Sequence, residues 1–379
     1  MTETTTVKFP THYDVVGSLL RTPELKDALV KFDRDELTAT ALKAVQRAET
    51  QKVVAKEVAL GLRSVTDGEF NRNWWHLDFW KHLTGISEHF KESISFTGGG
   101  NKLHTARLVD RVAFNPAHPF FEDYQYTQSL VPAGVRVKQT IPSPTLLFGA
   151  NWHDVYEDWD SYLSDLAQAY HETILHFYAL GNRYLQLDDT NWAYLISELN
   201  ATEDNPEAHA NFESQAKDAV ALVNAVLKDL PADLTTTTHI CRGNFKSTYV
   251  FSGSYDVVAK YLGQLNYDGL FLEYDSQRAG GFEPLDAIWQ NDAHKRLILG
   301  LVTSKTPELE PTSSLEARLN EAAQHVPLEN LGLSTQCGFA SSTVGNLLTQ
   351  EEEWQKLRHV IAVAKQVWSS PDKNGIKGD

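Results

Sequence analysis

Short runs of apolar and β-branched residues recur along the chain, separated by longer stretches in which apolar positions return every three or four residues. The short runs predict strands at Asp14–Ser18, Ser64–Thr66, Val135–Gln139, Arg183–Leu187, Leu234–His239, Gly269–Glu273, Arg296–Leu301 and Leu331–Leu333. The longer period predicts helices, among them Glu36–Leu60, Tyr162–Leu180, Ala208–Lys228, Tyr255–Leu265, Leu315–Gln324 and Gln350–Val367. Asp160 and Ser161 mark one helix start, and Thr349 ahead of three glutamates marks another. Strands and helices that alternate in this way predict an α/β protein built as a (β/α)8 TIM barrel rather than an open sheet.

One region breaks the rhythm. From Gly85 to Pro132 the chain carries Gly98-Gly99-Gly100, Pro116, Pro119 and many aromatics with no clean period. It reads as an insertion at 85–132, after the second strand, with a small hairpin over the barrel mouth. Its aromatics, including Phe90, Phe96, Phe120, Phe121 and Tyr124, could form a lid or the interface of a homodimer. The last residues, 369–379, with Pro371 and Gly375, are expected to be disordered. No internal repeat divides the rest, so 1–379 reads as a single barrel domain.

Composition narrows the class. A formal charge of −16 disfavours nucleic acid or an anionic membrane surface as a partner. No apolar run approaches a spanning length, and Met1-Thr2-Glu3-Thr4-Thr5-Thr6 lacks the features of a secretory signal, so no membrane contact is expected. Two cysteines in 379 residues rule against a disulfide scaffold and fit a reducing, cytoplasmic setting.

Those two cysteines carry the chemistry. In His239-Ile240-Cys241 the imidazole and the thiol project to one side of a strand, because strand side chains alternate. Cys337 follows the last predicted strand, and Glu273 ends the sixth. In a barrel, all strand ends open onto one rim, and functional groups collect there. His239, Cys241, Glu273 and Cys337 therefore form a candidate Zn2+ site, with a net charge of about −1 once the metal is counted. A thiolate-rich zinc of this kind suits the capture of an incoming thiol better than the polarisation of a carbonyl. A lone cysteine is more often a small buried hydrophobe; the shared rim is what favours the metal. Asp67-Gly68-Glu69 with Arg72, and Asp188-Asp189, stand at further strand ends. They could simply cap helices, yet a rim carboxylate is also placed to hold an ammonium group. Zinc for a thiol beside carboxylates for an amine describes an amino-thiol such as homocysteine.

At these residues the chain resembles the catalytic, C-terminal half of cobalamin-independent methionine synthase, within the superfamily that also holds uroporphyrinogen decarboxylase. The resemblance runs from about Tyr13 to Trp368 and rests on Val16-Gly17-Ser18 with Arg21, Asp67-Gly68-Glu69 with Arg72, Gln186-Leu187-Asp188-Asp189, His239-Ile240-Cys241, Glu273 and Cys337-Gly338. It implies zinc on His239, Cys241, Glu273 and Cys337. It implies homocysteine contacts from Gly17, Ser18, Glu69 and Asp188, and methyl transfer from 5-methyltetrahydrofolate to give methionine. Two departures fall on the donor side. Lys305-Thr306-Pro307-Glu308 stands where the family carries His-Ser-Pro-Arg, which makes Lys305 the candidate proton donor. A folate-stacking tryptophan of the family falls near Phe148, with Trp152 close by as a substitute. The family's N-terminal barrel has no counterpart in this chain. Other readings are a different donor, such as a methylcorrinoid, a barrel with a purely structural zinc, and a metal-free decarboxylase-like enzyme.

Overall fold

The computed structural model of the chain describes residues 9–91 and 103–369. In chain order these form α1 (Pro23–Asp33), α2 (Ala39–Leu60), β1 (Ser64–Val65), α3 (Leu77–Trp80), β2 (Thr84–Lys91), β3 (Leu103–Ala113), α4 (Phe120–Gln128), β4 (Arg136–Val137), β5 (Gln139–Pro142) and α5 (Trp159–Ala179). They continue with β6 (Tyr184–Asp189), α6 (Asn191–Ala201), α7 (Pro206–Leu227), β7 (Thr235–Ile240), α8 (Asp256–Leu262), β8 (Gly269–Glu273), α9 (Pro284–Trp289), β9 (Arg296–Val302), α10 (Thr312–Ala322), β10 (Leu331–Thr335) and α11 (Gln350–Trp368).

Six strands form one parallel sheet in the order β10-β9-β8-β7-β6-β5. Every residue of β6, β8, β9 and β10 is buried, as expected of parallel strands covered on both sides. One side holds the apolar layer under the helices, with Leu185, Leu187, Leu270, Leu272, Leu297 and Leu299 among its members. The other side is a narrow interior where Val16, Phe271 and Ile298 pack together. Below them the buried Lys138 ammonium meets Asp14 at 3.3 Å and Gln186 at 3.1 Å, and Tyr184 donates to Asp14 at 2.6 Å. A cation sealed in the interior needs these partners, since an unpaired buried charge is strongly destabilising.

The ladder differs from the predicted barrel in two places. β1 pairs with β4, and β5 with β6, so the predicted Val135–Gln139 strand is divided at Lys138 between two neighbours. Tyr13–Ser18 forms no ladder: Tyr13 makes an isolated parallel bridge to Leu333, and Leu19 donates to the Gly68 carbonyl at 3.1 Å. The Thr66 hydroxyl takes the Gly17 carbonyl at 2.6 Å, so a side chain occupies a group that a strand neighbour would use. The observed class is therefore α/β with an open ladder; among the described residues no hydrogen-bonded barrel closes.

The 85–132 region contains an antiparallel hairpin of β2 and β3, followed by α4. The hairpin lies against the turn after β5 and the start of α5: Leu108 N–H donates to Asn151, Val112 N–H to the Tyr156 hydroxyl, and Arg111 pairs with Asp165 at 2.7 Å. Phe96 and the Gly98-Gly99-Gly100 run lie outside the described residues, as do residues 370–379 of the expected tail. Phe120, Phe121 and Tyr124 are buried on α4 and not presented as an outer surface.

Candidate metal centre

Register explains how the strands deliver the key side chains. Asp188 on β6 lies opposite His239 on β7, and His239 opposite Phe271 on β8. Register partners in parallel strands point to the same face, so Asp188 and His239 share the interior side with Phe271. Glu273, two residues past Phe271, shares it too, and Cys241, two past His239, continues the line just beyond β7. Cys337 arrives from the turn after β10.

The four side chains meet. One ligand atom each from His239, Cys241, Glu273 and Cys337 lie within 4.8 Å of one another, and all four residues are buried. The two sulfurs are 3.7 Å apart, and His239 Nε2 lies 3.9 Å from Glu273 Oε1. Both ring nitrogens of His239 are buried without a hydrogen-bond partner. A buried imidazole with neither nitrogen satisfied is costly unless something else takes a lone pair. Two thiols, a carboxylate and an unsatisfied imidazole are a donor set that fits a borderline-soft divalent metal.

The electrostatics of the group are strongly unequal. Contact with Cys337, together with burial, pushes the Cys241 thiol far up, whereas contact with Cys241 holds Cys337 far down, against burial and with help from His239. The pair thus carries one proton. Burial opposes charge on His239, but the Cys337 sulfur, Asp188 and Glu273 raise it to about 8. A metal bound among these groups would displace their protons.

Around this group the other predicted residues gather unevenly. Burial pushes Asp188 up to about 7, while Gln186 donates to its Oδ1 at 2.7 Å. Glu69 has a left-handed backbone at φ 61°, pairs with Arg72 at 3.3 Å and accepts from Thr140 at 2.9 Å; its Oε2 is buried and unpartnered. Burial raises its pKa above the usual carboxylate range. A side chain on Gly17 would meet Thr140 Cγ2 at 2.8 Å and Glu69 Oε1 at 3.7 Å, which places Gly17 beside that carboxylate. Ser18 docks on the turn of Cys337, accepting Phe339 N–H at its carbonyl (2.9 Å) and Ala340 N–H at its hydroxyl (3.3 Å). Gly17, Ser18, Glu69 and Asp188 are thereby brought to the metal group. Lys305 is on the same rim, with Nζ 3.1 Å from Asp275 Oδ2. Trp152 packs instead with His153, Trp159 and Tyr162 in the turn after β5.

Sequence reasoning missed Arg278, whose Nη2 reaches Glu273 Oε2 at 2.7 Å and Asp275 Oδ1 at 3.0 Å. It lies in a single 3-10 turn, Gln277–Ala279, too short to show a period, and only the distance of five residues from Glu273 could have drawn attention to it. Arg242 was also missed; its backbone N–H donates to Glu273 Oε1 at 3.0 Å.

An α/β scaffold that gathers two cysteines, a histidine and a glutamate into one buried cluster defines a class of protein with a candidate metal centre at the ends of its parallel strands. The chain belongs to the cobalamin-independent synthase family: the model of its catalytic domain matches residues 9–366. It is 44% identical to the uncharacterized protein YxjH of Bacillus subtilis, covering 95% of this chain and 96% of that one. It is 24% identical to the 5-methyltetrahydropteroyltriglutamate–homocysteine methyltransferase of Bifidobacterium longum subsp. infantis, covering 94% of this chain but 43% of the relative. The chain thus spans less than half the length of that synthase. Among solved structures, a putative vitamin-B12-independent methionine synthase from Listeria monocytogenes superposes with a TM-score of 0.76 at 35% identity, covering 95% of this chain and 99% of that one. A B12-independent methionine synthase from Shewanella sp. W3-18-1, solved with selenomethionine, shares the fold at a TM-score of 0.69 and 19% identity, over 95% of this chain and 98% of that one. No helix among the described residues is long and apolar enough to cross a membrane.

Proposed function

We propose that the protein is a zinc-dependent methyltransferase that moves a methyl group from 5-methyltetrahydrofolate, in its polyglutamate form, to the thiol of homocysteine, giving methionine. The observation that carries this is the buried His239–Cys241–Glu273–Cys337 group with Asp188 and Glu69 beside it. Zinc on these four residues lowers the pKa of a bound thiol and keeps it as a thiolate at neutral pH. Asp188 and the unpartnered Glu69 Oε2 hold the substrate ammonium, which gives that buried oxygen the hydrogen-bond donor it otherwise lacks. The Gly17–Ser18 turn, tied to the turn of Cys337, fixes the distance between the amino-acid end and the sulfur. Lys305, fastened to Asp275, brings a proton to the pole of the site where the methyl donor departs. Trp152 offers an aromatic face for a flat donor ring, and Tyr13–Ser18 serves as the remaining wall of a (β/α)8 barrel. The setting is cytoplasmic.

A second donor, a methylated corrinoid, is favoured by one feature: Lys305-Thr306-Pro307-Glu308 stands in place of the family's His-Ser-Pro-Arg. Turnover with homocysteine and either methyltetrahydrofolate (mono- and polyglutamyl) or methylcobalamin separates the two. Methionine from the folate is the expected result. Methionine from methylcobalamin alone would move the assignment to the second donor, and none from either would remove both.

A further inference from the structure

Glu273 is held differently at its two oxygens. Oε1 faces His239 at 3.9 Å and accepts the Arg242 N–H at 3.0 Å. Oε2 is taken by Arg278 Nη2 at 2.7 Å, and the same nitrogen reaches Asp275 Oδ1 at 3.0 Å. Asp275 Oδ2 in turn accepts from Lys305 Nζ and from Thr303 Oγ1, each at 3.1 Å. The guanidinium carbon sits 4.3 Å from the centre of the Tyr249 ring, and Arg278 Nη1 is buried with no partner.

We propose that Arg278 is a positioning residue that makes Glu273 an exchangeable, one-oxygen metal ligand and receives the carboxylate when a substrate thiol displaces it. The proposal rests on the zinc–thiol reading above. A carboxylate with both oxygens free can close on a metal through both, and it then leaves reluctantly. Oε2 is held by the charged Arg278 guanidinium at 2.7 Å, whereas Oε1 carries only the neutral Arg242 N–H at 3.0 Å, so Oε1 is the oxygen left to a metal. Once displaced, a buried carboxylate without a partner would return to the metal, because an uncompensated charge in the interior is strongly unfavourable. The idle Nη1 gives Arg278 a second donor for that moment, in the fork geometry that suits two carboxylate oxygens and that lysine cannot reproduce. Asp275, braced by Lys305 and Thr303, keeps the fork aimed. With zinc bound the exchange would balance: the thiol would release its proton to solvent, its sulfur would take the place of the Glu273 oxygen, and the freed carboxylate would keep its charge against the guanidinium.

Arg278→Met keeps length and removes charge and donors; Arg278→Lys keeps charge and removes the fork. Each is loaded with zinc and compared with the parent by zinc-edge X-ray absorption with and without homocysteine, by calorimetry of homocysteine binding, and by competition with a chelator. The parent is expected to exchange one oxygen neighbour for sulfur. R278M is expected to hold zinc at least as tightly as the parent, to keep its oxygen neighbour, and to bind homocysteine about tenfold more weakly, the scale on which partners of metal ligands act. R278K should fall between. Exchange and homocysteine affinity in R278M equal to the parent's would overturn the role of Arg278 alone. Loss of zinc from both variants would make Arg278 a structural support and overturn it as well. If R278M does not keep the parent's circular-dichroism spectrum, R278K decides by the same readouts. A parent that gains no sulfur overturns the thiol reading itself, and this role with it.

Discussion

Residues in this protein are legible in sequence when a period fixes their direction. His239 and Cys241 are two apart on a strand, so their convergence follows from the pleat alone, and Glu273 obeys the same rule from the next strand. Arg278 follows no such rule, because its partners are set by where the loop after β8 places a single 3-10 turn. Buried Glu353 is another residue whose behaviour only the fold reveals. It lies in the first turn of α11, its Oε1 accepting the Leu20 N–H at 3.0 Å and its Oε2 unpartnered. Burial drives its pKa up to about 8; Leu20, Lys56, Arg21 and Lys26 oppose this only in part. Its folded pKa therefore exceeds the unfolded one. The folded protein keeps a proton that the unfolded chain loses, and this group's contribution to stability falls as pH rises from roughly 4.5 towards 8. Glu353→Gln keeps the acceptor for Leu20 and cannot ionise. Its advantage over the parent in urea denaturation should grow with pH in that window, by at most about 1.4 kcal/mol per pH unit. A difference that is flat from about pH 5 to about pH 8 would show that the carboxyl titrates normally.

Elements reproduce the hydrophobic pattern in the buried sheet and the helices that cover it, and depart from it where the chain makes other bonds. The predicted Gly269–Glu273 strand is observed at those bounds, and the predicted Tyr162–Leu180 helix appears as Trp159–Ala179, capped by Asp158. α6 escaped prediction because Trp192, Ala193, Leu195, Ile196 and Leu199 bury most of its girth and leave only a narrow outward stripe at Tyr194, Ser197, Glu198 and Ala201. Asp14–Ser18 was read as a strand, but its groups are claimed by side chains and by the turn after β10. That turn is a steric junction. A side chain on Gly338 would come within 2.1 Å of Ser18 Oγ and 3.0 Å of the Ser18 backbone. The hydroxyl could rotate away; the backbone could not. Gly338→Ala should thus cost about 1–3 kcal/mol in denaturation, as overpacking does. It should also weaken homocysteine binding while zinc content stays stoichiometric, because it parts the Gly17–Ser18 turn from the turn that carries Cys337. Unchanged homocysteine affinity in a destabilised G338A protein would mean that this docking serves stability only.

At the scale of the whole molecule, the candidate metal cluster and the core are built on opposite sides of the same strands. Leu185, Leu187, Leu270, Leu272, Leu297 and Leu299 are packed under the helices, and the interior below the site is held by Lys138, Asp14 and Tyr184. None of these depends on a ligand at the strand ends. Small zinc domains fold only with their metal because the metal replaces a core; here a core already exists. Removing zinc should therefore leave the far-ultraviolet circular dichroism in place and lower the thermal midpoint by a few degrees. The size follows from linkage, since a ligand at a hundred times its dissociation constant adds about 2.7 kcal/mol to the native state. Cys337→Ser should reproduce that shift without a chelator and should then be insensitive to one, because the metal has already been lost. Cooperative unfolding on chelation at room temperature would show that the sulfur pair, and not the apolar layer, holds the strands in register.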